Sequence, residues 1–216
     1  MLDPRRLAVY VVTSGAFGPG RDHRSIARAA ISGGATAIQL RAPELADDDL
    51  LAVATELAAA CRDAGVLFVV NDGLDIALAC EGAGLHVGQD EDALDIRRRL
   101  GDQRVLGVSV ADPGQASAAQ LAGADYLGVT VWETPTKPEA VAQGIEGLRE
   151  VVGATTLPVV GIGGIDPSNA PTVLEAGAVG VAVVSAVAAA IDPVQATREL
   201  ASAVGRFIAA RAEAGP

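Results

Sequence analysis

Apolar positions fall into eight short runs spread through the chain: Leu7–Thr13, Thr36–Leu40, Val66–Val70, Gly84–Val87, Val105–Ser109, Tyr126–Val131, Pro158–Ile162 and Gly180–Val184. Several are apolar without alternation, the pattern of parallel strands covered on both faces. Between the runs the apolar spacing turns helical. Asp47–Asp63 is clearest, with Leu50, Leu51, Ala54, Leu57, Ala58 and Cys61 on one helical stripe and acidic residues at its start. Asp112–Leu121, Ala140–Val152, Ser168–Glu175 and Pro193–Ala210 read the same way. Glycine then alanine recurs before strands, at Gly33-Gly34-Ala35, Gly82-Ala83, Gly123-Ala124 and Gly177-Ala178. Such a glycine ends a helix through a left-handed cap, and the alanine lets helix and sheet approach closely. Strands alternating with helices over short connections predict an α/β fold, a closed (β/α)8 TIM barrel, with residues 1–216 forming a single domain. An open doubly wound sheet fits less well, because the first strand-to-helix turn, Thr13–Arg24, carries glycines but no GxGxxG run.

Composition narrows the picture. Half of the 216 residues are hydrophobic but only 3% are aromatic, so Val, Leu, Ile and Ala must fill the interior. Cys61 and Cys80 sit in apolar helical patterns without metal-ligand spacing and read as reduced core thiols. A formal charge of −11 opposes nucleic acid and anionic membranes as partners. It does not oppose a phosphorylated small molecule, because backbone N–H groups and a few cations can override the global field locally. The apolar runs Thr156–Ile165 and Val179–Ile191 are too short or too broken to span a bilayer, and no signal peptide is apparent. The expected location is the cytoplasm.

In such a barrel the chemistry lies just beyond the C-terminal strand ends. The polar residues delivered there include Thr13, Gln39, Arg41, Asn71, Asp72, Ser109, Thr134, Thr136, Lys137 and Ser185. Asp72 reads either as a helix N-cap or as a metal-binding carboxylate. The acidic cluster Asp90-Glu91-Asp92 after the next strand supports the second reading, although an acidic first helical turn explains part of it. Thr134-Pro135-Thr136-Lys137-Pro138 is a stiffened polar loop suited to phosphate oxygens. The Gly163-Gly164-Ile165 turn after the seventh run, with Ser185 after the eighth, has the form of an anion site. His86 reads equally as a core or a catalytic histidine, and His23 as a solvated helix-start residue. Trp132, the single tryptophan, is a candidate wall of the site.

Taken in order, Gln39-Leu40-Arg41, Asn71-Asp72, Leu85-His86-Val87-Gly88-Gln89, Gly107-Val108-Ser109, Thr134-Pro135-Thr136-Lys137, Gly161-Ile162-Gly163-Gly164-Ile165 and Val183-Val184-Ser185 resemble the thiamine phosphate synthase family over nearly the whole chain. That resemblance implies a transferase joining hydroxymethylpyrimidine diphosphate to a thiazole phosphate, with release of diphosphate by a dissociative route. It implies that Gln39, Arg41, Asn71, Ser109 and Lys137 contact the pyrimidine diphosphate, with Arg41, Lys137 and Ser109 catalytic. Thr134, Thr136, Gly163, Gly164, Val184 and Ser185 would take the thiazole phosphate, and Asp72 with Glu91 would hold Mg2+, Asp90 being the alternative second ligand. The partners implied are two phosphorylated small molecules, with a homodimer through the outer helices as a further expectation. The chain departs from the family pattern at Pro43 and Gly73, where basic residues are usual, at Glu91, and in a shortened Val129–Glu133 loop; Arg21 or Arg24 are candidate replacement cations. Two alternatives follow from these departures. One is a thiazole tautomerase-like isomerase, against which stands Ala111 where that family has histidine. The other is a barrel that binds a phosphorylated metabolite without turnover.

Overall fold

The strand runs all form, as short strands covered inside and out. In a computed structural model that describes residues 2–15, 17, 21–134 and 140–214, the strands are β1 (Val9–Val12), β2 (Ala37–Leu40), β3 (Leu67–Asn71), β4 (Gly84–Val87), β5 (Leu106–Ser109), β6 (Tyr126–Thr130), β7 (Val159–Ile162) and β8 (Gly180–Val183). All pair in parallel with their sequence neighbours, and β8 returns to β1 with Val9 opposite Val181, closing the barrel. Outward residues such as Val11, Ile38 and Leu85 pack under the helices, while inward Tyr10, Val12, Ala37, Val69, Tyr126, Val160 and Ala182 form a second, enclosed cluster. This is the (β/α)8 architecture expected from the sequence.

The helices are α1 (His23–Gly33), α2 (Asp47–Ala64), α3 (Leu74–Ala79), α4 (Ala93–Leu100), α5 (Pro113–Leu121), α6 (Gly144–Gly153), α7 (Ala170–Glu175), α8 (Ser185–Ala188) and α9 (Pro193–Ala214). The four expected glycine caps all take left-handed backbone; Gly34, at φ 98°, returns its N–H to Ala30 and Ile31 carbonyls. Helix α6 starts four residues later than its apolar pattern suggests. Gln143 N and Gly144 N instead donate to the Thr130 and Val131 carbonyls, folding that segment back over the end of β6. Cys61 and Cys80 are free and buried. Among the described residues, no helix is long and apolar enough to cross a membrane.

Candidate active site

The C-terminal ends of the strands surround a cavity open to solvent and lined from every strand. Such a concave rim suits small-molecule ligands. Gln39 is buried on β2, Arg41 follows that strand, Asn71 closes β3 and Ser109 closes β5; all four line the cavity. Facing them are Thr134 beyond β6, Gly163 and Gly164 after β7, and Val184 and Ser185 after β8. Thr136 and Lys137 lie outside the described residues.

The glycine turn is built from behind. Gly163 and Gly164 have φ of 96° and 62°, conformations that favour glycine. A Cβ on Gly163 would lie 2.5 Å from the Trp132 carbonyl oxygen, so the turn is pressed against residue 132. Trp132 itself packs with the apolar shell outside the barrel and does not line the cavity, which corrects the expectation that it walls the site. Asn169 Nδ2 donates to Gly164 O at 2.9 Å, and Asp166 Oδ1 accepts from Ser168 Oγ at 2.6 Å and Ser168 N at 2.7 Å. The Ser168 hydrogen bonds hold the Asp166 carboxyl below its usual range. Among the described residues the N–H groups of Gly164 and Ser185 find no acceptor, which leaves backbone donors at the cavity wall.

The opposite side is held by a latch that the sequence did not suggest. His23 is 5% exposed, not solvated as expected. Its Nδ1 lies 2.8 Å from Thr13 Oγ1 and its Nε2 2.6 Å from Glu44 Oε1. Thr13 Oγ1 in turn accepts from Arg41 N at 3.4 Å, so both ends of the Arg41–Glu44 turn are tied to α1. Burial pushes the Glu44 carboxyl up, but the His23 hydrogen bond, aided by backbone and the charges of His23 and Arg41, outweighs it and leaves Glu44 below its usual range. Arg21 and Arg24 do not supply the missing cations. Arg21 donates to Ala188 O at 2.9 Å and to Ala190 O, capping α8, while Arg24 pairs with Glu56 at 2.6 Å.

Asp72 has a left-handed backbone, φ 59°, uncommon outside glycine. Its N–H donates to His86 O at 2.9 Å and its Oδ2 accepts from Asn71 Nδ2 at 2.6 Å. The cap position of α3 falls to Gly73, without a side-chain bond, so the N-cap reading of Asp72 fails. Asp92 is the capping acid of α4, accepting from Leu94 N and Asp95 N. Asp72 and Glu91 are exposed, and Glu91 borders a separate groove beside α4 and α5 rather than the main cavity. Among the described residues, no three His, Cys, Asp or Glu side chains gather as a metal-binding group.

Three lining residues escaped the sequence reading as a set. Tyr10 OH and Tyr126 OH are 2.8 Å apart, Gln39 Nε2 donates to Tyr10 OH at 2.9 Å, and His86 bridges Tyr126 OH and Ser109 Oγ at 3.0 Å each. A hydrogen-bonded chain, buried at Gln39, Tyr10 and Tyr126 and half-buried at His86 and Ser109, thus runs across the barrel floor. Desolvation raises both tyrosine pKa values, keeping the phenols neutral. The available signal was that the chain's only two tyrosines both fall inside strand runs, where a buried phenol needs a partner.

A family model described as thiamine monophosphate synthase matches residues 9–187. The chain belongs to the thiamine monophosphate synthase family. Its relatives in that family include thiamine-phosphate synthases of Moorella thermoacetica, 46% identical over 201 residues with 92% of this chain and 96% of that protein covered, and of Natronomonas pharaonis, 46% identical with 91% and 94% covered. A solved thiamine phosphate pyrophosphorylase from Pyrococcus furiosus superposes with a TM-score of 0.87 at 35% identity, covering 95% of this chain and 98% of that one. As a thiamine monophosphate synthase family member, the chain is an enzyme, a transferase.

Proposed function

We propose that the cavity condenses 4-amino-2-methyl-5-hydroxymethylpyrimidine diphosphate with 4-methyl-5-(2-phosphoethyl)thiazole, giving thiamine phosphate and diphosphate. The observation that carries this reading is convergence. Every described residue that the resemblance assigns to the two substrates lines the one cavity, with the pyrimidine set on β2, β3 and β5 and the thiazole-phosphate set on β6 to β8.

On this reading Gly163, Gly164 and Ser185 receive the thiazole phosphate through backbone N–H groups and a hydroxyl, and Thr134 and Thr136 add hydroxyl donors. Gln39, Asn71 and Ser109 orient the pyrimidine, holding its methylene carbon toward the thiazole nitrogen. Arg41 and Lys137 stabilise the charge that grows on the departing diphosphate. Nucleophile and electrophile both belong to the substrates, so the protein needs no nucleophilic side chain. Asp72 and Glu91 suit Mg2+, with Asp90 as an alternative to Glu91, because they supply hard carboxylate oxygens from the ends of adjacent strands. Asp72 is free of capping duty, and its N–H bond to His86 O ties it to β4, whose following turn carries Glu91. Bound there, Mg2+ would neutralise diphosphate oxygens. Formation of thiamine phosphate from the two precursors with Mg2+ tests the reading; no product above background at high enzyme concentration would overturn it.

A further inference from the structure

Arg41 has a support that never enters the cavity. Its backbone N–H donates to Thr13 Oγ1 at 3.4 Å, Thr13 Oγ1 lies 2.8 Å from His23 Nδ1, and His23 Nε2 lies 2.6 Å from Glu44 Oε1. The two short bonds on His23 hold the frame against which the longer one is made. Arg41 lines the cavity, whereas Thr13, His23 and Glu44 do not. The groups at the two ends fix the sense of this relay. A backbone N–H only donates and an ionised carboxylate only accepts, so His23 donates from Nε2 to Glu44. Thr13 is fully buried, and among the described residues His23 Nδ1 is the acceptor that takes its hydroxyl proton. Reversing the Thr13–His23 bond would strand that proton, a costly state for a buried donor.

The relay is anchored on a stiff frame. His23 opens α1, whose cap Asp22 accepts from Ser25 N at 2.7 Å. Helix α1 sits so close to α9 that a Cβ on Gly33 would lie 2.6 Å from Val194 O. Between Arg41 and Glu44 the chain bends, with Leu45 N donating to Ala42 O at 3.1 Å and Pro43 fixing one φ of the bend. Glycine at position 15 leaves Glu44 its place: a Cβ there would lie 2.3 Å from Glu44 Oε1 and 3.3 Å from His23 Nε2. We propose that Thr13, His23 and Glu44 are positioning residues that pin the Arg41–Glu44 turn and so hold the Arg41 side chain toward the diphosphate of the pyrimidine substrate. The proposal rests on the synthase reading, which gives Arg41 that partner, and adds what keeps the side chain there.

A double-mutant cycle with Arg41→Ala tests the proposal. Thr13→Val keeps the shape of the buried side chain and removes its hydroxyl, and Thr13→Ser keeps the hydroxyl. Gly15→Ala pushes Glu44 off His23 from an exposed position, so it carries the same cycle if Thr13→Val does not fold. Steady-state kinetics on variants shown to be folded by circular dichroism, with each substrate varied in turn, give the readout. Thr13→Val should raise the KM for the pyrimidine diphosphate about tenfold and leave that for the thiazole phosphate within about twofold. Thr13→Ser should stay near wild type, and Gly15→Ala should move in the same direction as Thr13→Val. In the Arg41→Ala protein the same substitutions should have no further effect, because residues that act through one side chain are not additive. Unchanged KM values, equal losses for both substrates, or effects that add to Arg41→Ala would overturn the proposal. Thiamine phosphate formed by the wild type would then leave the synthase reading intact. No thiamine phosphate from the wild type removes both.

Discussion

Alanine substitution at each glycine of the phosphate turn separates what the turn needs from its backbone and from its neighbours. Both residues have positive φ, and placing an L-residue in left-handed backbone costs about 1–2 kcal/mol. At Gly164, φ 62° lies within the left-handed well, and the new Cβ meets Trp132 Cβ at 3.2 Å and Glu133 O at 3.3 Å, contacts that a shift of a few tenths of an ångström relieves. The loss of unfolded-state freedom returns about 0.4–1 kcal/mol. Gly164→Ala should therefore cost about 1 kcal/mol. At Gly163, φ 96° lies beyond that well and the Cβ falls 2.5 Å from the Trp132 carbonyl oxygen, which moves only with the backbone after β6. Overpacking adds about 1–3 kcal/mol, bringing Gly163→Ala to about 3 kcal/mol. Urea unfolding followed by circular dichroism measures both, with the difference taken from midpoints at a common slope. Equal losses for the two variants, or a larger loss at Gly164, would refute the argument that residue 132 braces the turn.

Arg41→Ala should raise the KM for the pyrimidine diphosphate about 10- to 100-fold while leaving that for the thiazole phosphate near wild type, since a charge-assisted hydrogen bond is worth about 1.5–3 kcal/mol; steady-state kinetics varying each substrate in turn would show the split. Glu44 is depressed in the folded protein, so its bond to His23 contributes stability above the unfolded carboxylate pKa and loses it as pH falls through the lowered folded value. Melting temperatures of wild type and Glu44→Gln should accordingly differ at pH 6 and converge in acid; a constant gap down to pH 3 would contradict the sign. Burial pushes the Cys61 thiol up to about 12. Iodoacetamide at pH 8 should leave it unlabelled in the native protein and modify it in denaturant, as mass spectrometry of the peptide containing Cys61 would show.

The strand positions were legible because a run buried on both faces carries its own signature; β4, from Gly84 to Val87, begins and ends where the apolar run does. The rim was legible for the same reason. Once the strand ends are known, the polar residues at or just beyond them are the candidates for the cavity wall, and Arg41, Asn71, Ser109 and Ser185 were found that way. What stayed hidden depends on closure. Tyr10 and Tyr126 are 116 residues apart in sequence and meet only because β1 and β6 face each other across a closed ring. Arg21 looked available because its partners are carbonyls at the end of α8, groups that no side-chain pattern displays. His23 looked solvated because its position at the start of α1 says nothing of Glu44, which reaches it from the turn after β2.

The pairing of β1 with β8 also sets the order in which the molecule can be made. Gly180 enters β8 so close to the opening of β1 that a Cβ there would lie 1.9 Å from Leu7 O, and the ring shuts only when this late strand slots beside the earliest one. During synthesis the growing sheet therefore keeps two bare edges until the chain has emerged past Val183, exposed to pairing with other chains. The pocket floor, with Ala182 opposite Tyr10, is completed by the same step. A chain cut short before that point is an open sheet without a closed binding site, so catalytic competence is acquired in one step, when β8 closes the ring, rather than strand by strand.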